Sequence, residues 1–194
     1  MSLRKLVFAA AVALTAACGS VAPQRDVTCG AQPVSVLPNG SFEDATPAWV
    51  QNAPTPSLLC GTDITAADGV RAACMGGMDG KIQTLSQDVP LPAGAKKATL
   101  SGDICITTQE TAAVDNDVLQ FQLLDGDTVL TTLGQFSNQQ GVKENCMFMA
   151  FTPLVGTLAS DPPTATLQLK TNLNPQNTTS FFIDALTLDV SCTQ

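Results

Sequence analysis

Seven cysteines and 17 acidic side chains hold most of the chemistry open to this 194-residue chain, which has no histidine and no tyrosine. Without histidine it lacks the commonest general base, the usual activator of a serine or cysteine nucleophile and the commonest transition-metal ligand. Two close carboxylate pairs, Asp115 with Asp117 and Asp125 with Asp127, come nearest to a glycosidase arrangement. A glycosidase, however, needs its acids on opposite sides of a scissile bond. The first pair falls in a loop before a strand and the second at a hairpin tip, so both read as solvated turn acids. Nine Lys and Arg against 17 acids give a net charge of −8 with no basic cluster. Such a chain has nothing to lay along a phosphate backbone, and nucleic acid is excluded as a partner. No catalytic residue is assigned, and a non-enzyme is expected.

The cysteines are odd in number, which leaves one thiol without a partner in an oxidising compartment. The N-terminus supplies a use for it. Arg4 and Lys5 precede an apolar run from Leu6 that ends in small residues and Cys18, the form of a secretory signal. The run is well short of the roughly 20 residues that cross a bilayer. Leu14-Thr15-Ala16-Ala17-Cys18 resembles a bacterial lipobox, departing from it at Thr15, where leucine is usual. The resemblance implies lipidation of Cys18, a membrane partner through that lipid, and an exported outer-membrane lipoprotein facing the periplasm or the cell surface. Cleavage without a lipid is the alternative. Residues 1–18 are then a leader, 19–28 a flexible tether containing Pro23, and 29–194 a single domain. Losing Arg4 and Lys5 leaves 7 bases against 17 acids, or −10.

Six cysteines remain: Cys29, Cys60, Cys74, Cys105, Cys146 and Cys192. None forms a C-x-x-C pair and no histidine assists them, so disulfides are a better reading than zinc. Fifteen pairings are open to six cysteines. Cys29 and Cys192 bracket the domain and would clamp its ends; Cys60 with Cys74 and Cys105 with Cys146 complete that set.

The elements that must position these residues are strands. From Cys29 onward, apolar and polar residues alternate at period two, broken about every 8 to 15 residues by Gly, Pro, Asn or Asp. Strands are expected at 34–37, 72–75, 84–89, 98–106, 118–124, 128–133, 147–152, 165–171 and 181–190. Asp125-Gly126-Asp127 makes the fifth and sixth a hairpin. In the strand at 98–106, Ala98, Leu100, Ile104 and Ile106 share one face. Many short, half-polar strands in one domain point to an all-β, two-sheet antiparallel β-sandwich or jelly roll.

Alternation through 181–190 places Asp184 on an apolar face with Phe182, Leu186, Leu188 and Val190. A buried carboxylate needs a partner. Two readings fit: a Ca²⁺ ion, which collects oxygen ligands, or a place at the strand's rim where backbone N–H groups satisfy it.

Asn39-Gly40-Ser41-Phe42-Glu43 followed by Trp49 resembles the opening motif of galactose-binding-like jelly rolls, which include carbohydrate-binding modules of secreted proteins. Phe182-Ile183-Asp184 resembles their closing strand. Ala73-Cys74-Met75-Gly76-Gly77, Leu85-Ser86-Gln87-Asp88-Val89 and Asp117-Val118-Leu119 resemble the middle, so the likeness runs from about Val34 to Val190. It implies a structural Ca²⁺ shared by Glu43 and Asp184, stapling the first and last strands without catalysis. Trp49 is then either a sugar-stacking platform or, favoured by its motif position, a core residue.

Sugar binding needs rings for stacking and amides or carboxylates for hydroxyls. One Trp and no Tyr make the stacking half thin. Asp103, Gln120, Gln122 and Gln168 lie on polar strand faces and could line one sheet, although any half-buried strand has a solvated face. The expected function is a lipid-anchored surface module that recognises glycan of the envelope or matrix. The alternative is a structural or protein-interaction component of an outer-membrane surface assembly, serving adhesion, motility or secretion without sugar binding.

Overall fold

The computed structural model describes residues 29, 32–45, 48–52, 57–61, 64–77 and 80–193. Cys18, the leader and the tether lie outside them. Among the described residues twelve strands follow one another: β1 (Val34–Ser35), β2 (Val50–Asn52), β3 (Leu59–Cys60), β4 (Ala72–Gly76), β5 (Ile82–Pro90), β6 (Lys97–Thr108), β7 (Val118–Asp125), β8 (Thr128–Ser137), β9 (Met149–Ala150), β10 (Leu154–Thr157), β11 (Thr164–Asn172) and β12 (Thr179–Ser191). Among the described residues one 3-10 turn, Asn138–Gln140, follows β8 and is N-capped by the Ser137 side chain.

The strands form two antiparallel sheets. One has seven strands in the order β10-β6-β12-β4-β3, with β1 added to β12 and β9 to β6; the other has five, β2-β5-β11-β7-β8. Period-two patterning explains the sandwich directly. Ala98, Leu100, Ile104 and Ile106 of β6 face Leu119, Phe121 and Leu123 of β7 and Ala165, Leu167 and Leu169 of β11 in one buried core. A side chain such as Leu167, fully buried, contributes about 1.5–3 kcal/mol by leaving water. The Asp-Gly hairpin forms as expected, with Gly126 at φ 57° and β7 paired to β8.

The strand expected at 34–37 is only Val34–Ser35, the short β2, β3 and β10 were not expected, and two further strands differ in ways that matter for the site. The segment 147–152 forms only the two-residue β9, because Asn145 turns the chain at φ 54° and Cys146 is tied to Cys105 on β6. The predicted face of 181–190 is also corrected. Between Asp184 and Thr187, β12 advances three residues while β6 advances two, from Asp103 to Ser101. Ala185 sits at φ 49°, the mark of a bulge. One extra residue inverts the alternation, so Phe181 and Ile183 point into the core ahead of the bulge and Leu186, Leu188 and Val190 behind it. Phe182 and Asp184 therefore face outward, away from the core.

The opening motif docks on that bulge. Leu186 N donates to Gly40 O at 2.9 Å, and a Cβ on Gly40 would lie 1.7 Å from the Leu186 carbonyl oxygen, so only glycine fits. Trp49 is buried, donates Nε1–H to Asn39 O at 2.8 Å and packs on Phe42 with ring centroids 5.0 Å apart. It is a core residue and offers no stacking platform.

Candidate functional site

The five-stranded sheet brings three of the four proposed glycan residues together. Gln168 of β11 lies opposite Gln122 of β7, and Gln120 lies opposite Lys170, so the three amides occupy adjacent rows of one outer face. Ser86 and Thr84 of β5 extend these rows on one side, Thr132 and Gln135 of β8 on the other. Cross-strand neighbours at this spacing, about 5 Å between Cβ atoms, form a continuous surface. Their mutual bonds are long: Gln120 Nε2 to Gln135 Oε1 and Gln122 Nε2 to Thr132 Oγ1 are both 3.4 Å. Bonds of that length hold their donors weakly, which leaves the amides able to exchange a neighbour for a ligand hydroxyl.

Asp103 does not join them. It lies on β6 in the other sheet, opposite Asp184 and Ala150, beside a hollow lined also by Thr65–Ala67 and Cys146–Phe148. Period-two reasoning identified the polar faces but carried no information on which sheet each strand would enter.

Glu43 and Asp184 meet on one loop, residues 64–71, over the outer face of the seven-stranded sheet. Asp184 Oδ2 accepts the N–H groups of Ala67 and Asp68, each at 2.8 Å, and Oδ1 accepts that of Ala185 at 2.7 Å. Glu43 Oε1 accepts from Val70 N at 2.8 Å and Arg71 N at 2.6 Å. Burial pushes the Asp184 carboxyl above the usual carboxylate range; the three N–H donors pull it back in part, and the Asp68 charge adds to the rise. The donor set does not suit a calcium ion in this arrangement. Three of the four carboxylate oxygens, both of Asp184 and Oε1 of Glu43, are met by N–H groups, and the loop turns donors rather than carbonyl oxygens toward them.

A pair of buried acids, Asp117 and Glu110, escaped sequence reasoning. Asp117 is fully buried, with Oδ1 accepting from Asn174 N at 2.7 Å and Oδ2 from the Thr179 hydroxyl; the reading of it as a solvated turn acid is corrected. Glu110, nearly as buried, accepts from the side-chain amides of Asn174, Asn116 and Asn177. Asp115 is exposed and accepts from Ser137 Oγ at 2.6 Å and Gln139 Nε2 at 3.0 Å. Every one of these acids fastens loops at the same end of the sandwich, with its oxygens turned to fixed donors. The asparagines at 116, 174 and 177 were the legible signal, since buried acids without nearby cations require neutral donors.

The structure joins Cys29 to Cys192, Cys60 to Cys74 and Cys105 to Cys146, with Cα separations of 5.7, 5.8 and 5.7 Å. These distances fall in the range that disulfides span. All three touch the seven-stranded sheet or its ends.

Similarity to known proteins lies at the level of shape. No family model and no curated protein matches the sequence. Among solved structures, a cyclase from Fischerella sp. TAU in complex with 4-(1H-indol-3-yl)butan-2-one superposes with a TM-score of 0.55 at 17% identity, covering 83% of this chain and 99% of that one. The arabinose-bound MgGH51 α-L-arabinofuranosidase gives 0.53 at 9% identity over 80% of this chain, which spans only 26% of the enzyme. TmCBM61 in complex with β-1,4-galactotriose gives 0.48 at 14% identity, covering 80% of this chain and 97% of that one. The shared property is the fold. It is a β-sandwich that other proteins use for quite different ends, so function has to be argued from this chain's own surfaces.

Proposed function

We propose that this chain is a non-catalytic module that binds glycan through the outer face of its five-stranded sheet. The observation that carries the reading is the juxtaposition of Gln120, Gln122 and Gln168 in adjacent rows, flanked by Ser86, Thr84, Thr132 and Gln135. Amides donate and accept at once, which matches the paired donors and acceptors of sugar hydroxyls. With Trp49 in the core, binding rests on hydrogen bonds alone. Weak single sites of this kind gain strength when several copies engage a repeating polymer. Affinity electrophoresis through a panel of soluble polysaccharides tests the proposal. Retardation by at least one polymer, lost in a Gln122→Ala/Gln168→Ala variant, is expected; passage unretarded through all of them sinks it.

A protein-interaction role in a surface assembly is the second reading, favoured by Val50 and Ile82, which are 66% and 59% exposed near the edge of the same sheet. Co-purification of one stoichiometric envelope protein, abolished by Val50→Glu, would support it. Presentation at the envelope by a lipid on Cys18 belongs to the same proposal and rests on the leader and the cysteine count. Mass spectrometry of the mature N-terminus and release of Cys18→Ser from membranes are its tests. Calcium at Glu43 and Asp184 requires loop 64–71 to turn carbonyls inward in place of N–H groups; a chelator-reversible rise in Tm would support the ion, and an unchanged Tm would leave the amides as the fastening.

A further inference from the structure

At the edge where the two sheets meet, the molecule holds a cleft that the glycan reading does not use. The neighbouring edge strands β8 and β10 come together at Gly134, where a Cβ would lie 2.7 Å from Leu154 Cδ2. Beyond that contact, toward the 3-10 turn, a cavity of ≈ 430 Å³ lies between the sheets. Ile104 and Ile106 of β6, with Phe136, Phe151 and Leu154, line its inner part. Phe136 and Phe151 meet edge to face at 5.4 Å, and both pack on buried Phe121. The segment that follows the 3-10 turn lines the remainder, held over the cleft by the Cys105–Cys146 link.

The cleft opens to solvent on one side, and its size is that of a small-molecule site. Its lining contains no charged side chain and only three polar ones, Gln140, Asn145 and Thr152. Water inside such walls makes few hydrogen bonds, so an apolar occupant displaces it favourably. Three apolar side chains of the lining are themselves largely exposed: Met147 at 77%, Met149 at 69% and Val142 at 47%. Exposed thioethers grouped with a valine beside an apolar cavity form an adaptable rim rather than a solvated loop.

We propose that this cleft binds a small, neutral, flat hydrophobic molecule, an aromatic or fused-ring compound with one hydrogen-bonding group. Neutrality follows from the uncharged walls, where an ion would be desolvated without a partner. The preference for a flat ring follows from the two phenylalanines, Phe136 and Phe151, and the two methionines, Met147 and Met149, among the lining residues. The single polar group is met by Gln140, Asn145 or Thr152. Sequence alternation could not reveal the site, because its walls join β6, Phe136 at the edge of the other sheet and a loop placed by a disulfide.

N-Phenyl-1-naphthylamine, neutral, flat and fluorescent in apolar surroundings, is the probe, titrated into the purified full chain in detergent-free buffer. Saturable binding of one dye per chain is expected. Met147→Glu/Met149→Glu should weaken it about tenfold by setting carboxylates at the mouth, Val142→Glu should act in the same direction, and Val50→Glu on the other sheet should match the parent. All four positions are exposed, so the melting curves should overlay; a variant that melts early is replaced by the Val142 one. Dye uptake that never saturates, or that falls equally in Val50→Glu, overturns the proposal. So does flotation of the parent, but not the methionine variant, with uncharged phosphatidylcholine vesicles, which would reassign the rim to a lipid surface.

Discussion

The two sheets of this sandwich face solvent in opposite ways. The seven-stranded sheet is covered: loop 64–71 lies over its outer side, drawn down by Asp184 and Glu43 through four of its backbone N–H groups, and three disulfides join its strands to neighbouring segments or to one another. The five-stranded sheet is open: the outer amides of Gln120 and Gln122 touch their neighbours through long bonds, and the short bond on that face, from the Thr166 hydroxyl to Asp88, lies one row away. Polar groups on the first sheet are committed to holding the chain together. Those on the second are free to be exchanged for a ligand's. The same residue types are thus tied down on one side and left exposed on the other, and what separates them is whether a loop passes overhead.

The contrast can be broken from the covered side first. Replacing Cys29 and Cys192 together by serine opens a closed loop with a sequence separation of 163 and should cost up to about 5 kcal/mol by loop-closure entropy, read as a large fall in the urea midpoint. Asp184→Ala comes next. It strands three backbone N–H donors, each about 1–3 kcal/mol to leave unsatisfied, and should lower stability by about 3 kcal/mol and speed hydrogen exchange at 67, 68 and 185. A loss within error of zero would mean that the loop is not fastened there.

Both tests bear on what the sequence could and could not tell. The sandwich was legible because alternation in β5, β6, β7 and β11 is nearly unbroken, and Asp-Gly fixed the hairpin. Glu43 and Asp184 were legible as a pair through their motifs. Their donors were not, since a backbone N–H leaves no trace in residue type. The bulge at Ala185 was equally invisible: nothing local marks a residue at φ 49° in an apolar strand, yet it decides that Asp184 faces the loop and Ile183 the core. Asp103 was grouped with the glutamines because strand faces, unlike strand order, can be read from pattern.

A smaller effect sharpens the contrast through pH. The folded chain holds the Asp184 carboxyl above its ordinary range, chiefly by burial, so the native state keeps a proton that the unfolded chain gives up. Its contribution is fully present below the unfolded carboxylate pKa and is lost as pH rises through the higher folded value. The stability difference between the parent and Asp184→Asn should therefore shift against the parent across that acid interval and be level above it. Parallel pH profiles would contradict the assignment. The smallest expected change is on the open sheet, where Gln122→Ala/Gln168→Ala should alter stability by no more than about 0.5 kcal/mol while removing glycan retention. A large destabilisation would show these amides to be structural after all, and erase the difference between the sheets.

The link between Cys29 and Cys192 has a mechanical meaning. Cys192 follows the end of β12, and β12 is hydrogen-bonded along its length to β6 on one side and to β4 and β1 on the other. A pull arriving from any segment before Cys29 passes through the sulfurs to the end of that strand. Strands loaded lengthwise must break many hydrogen bonds at once, whereas strands pulled sideways unzip one bond at a time. The cleft lies near the opposite end of β6, roughly 25 Å away at the rise of an extended strand. A domain held at its N-terminal side would thus take its load at the end of β12, with the cleft toward the far end of β6.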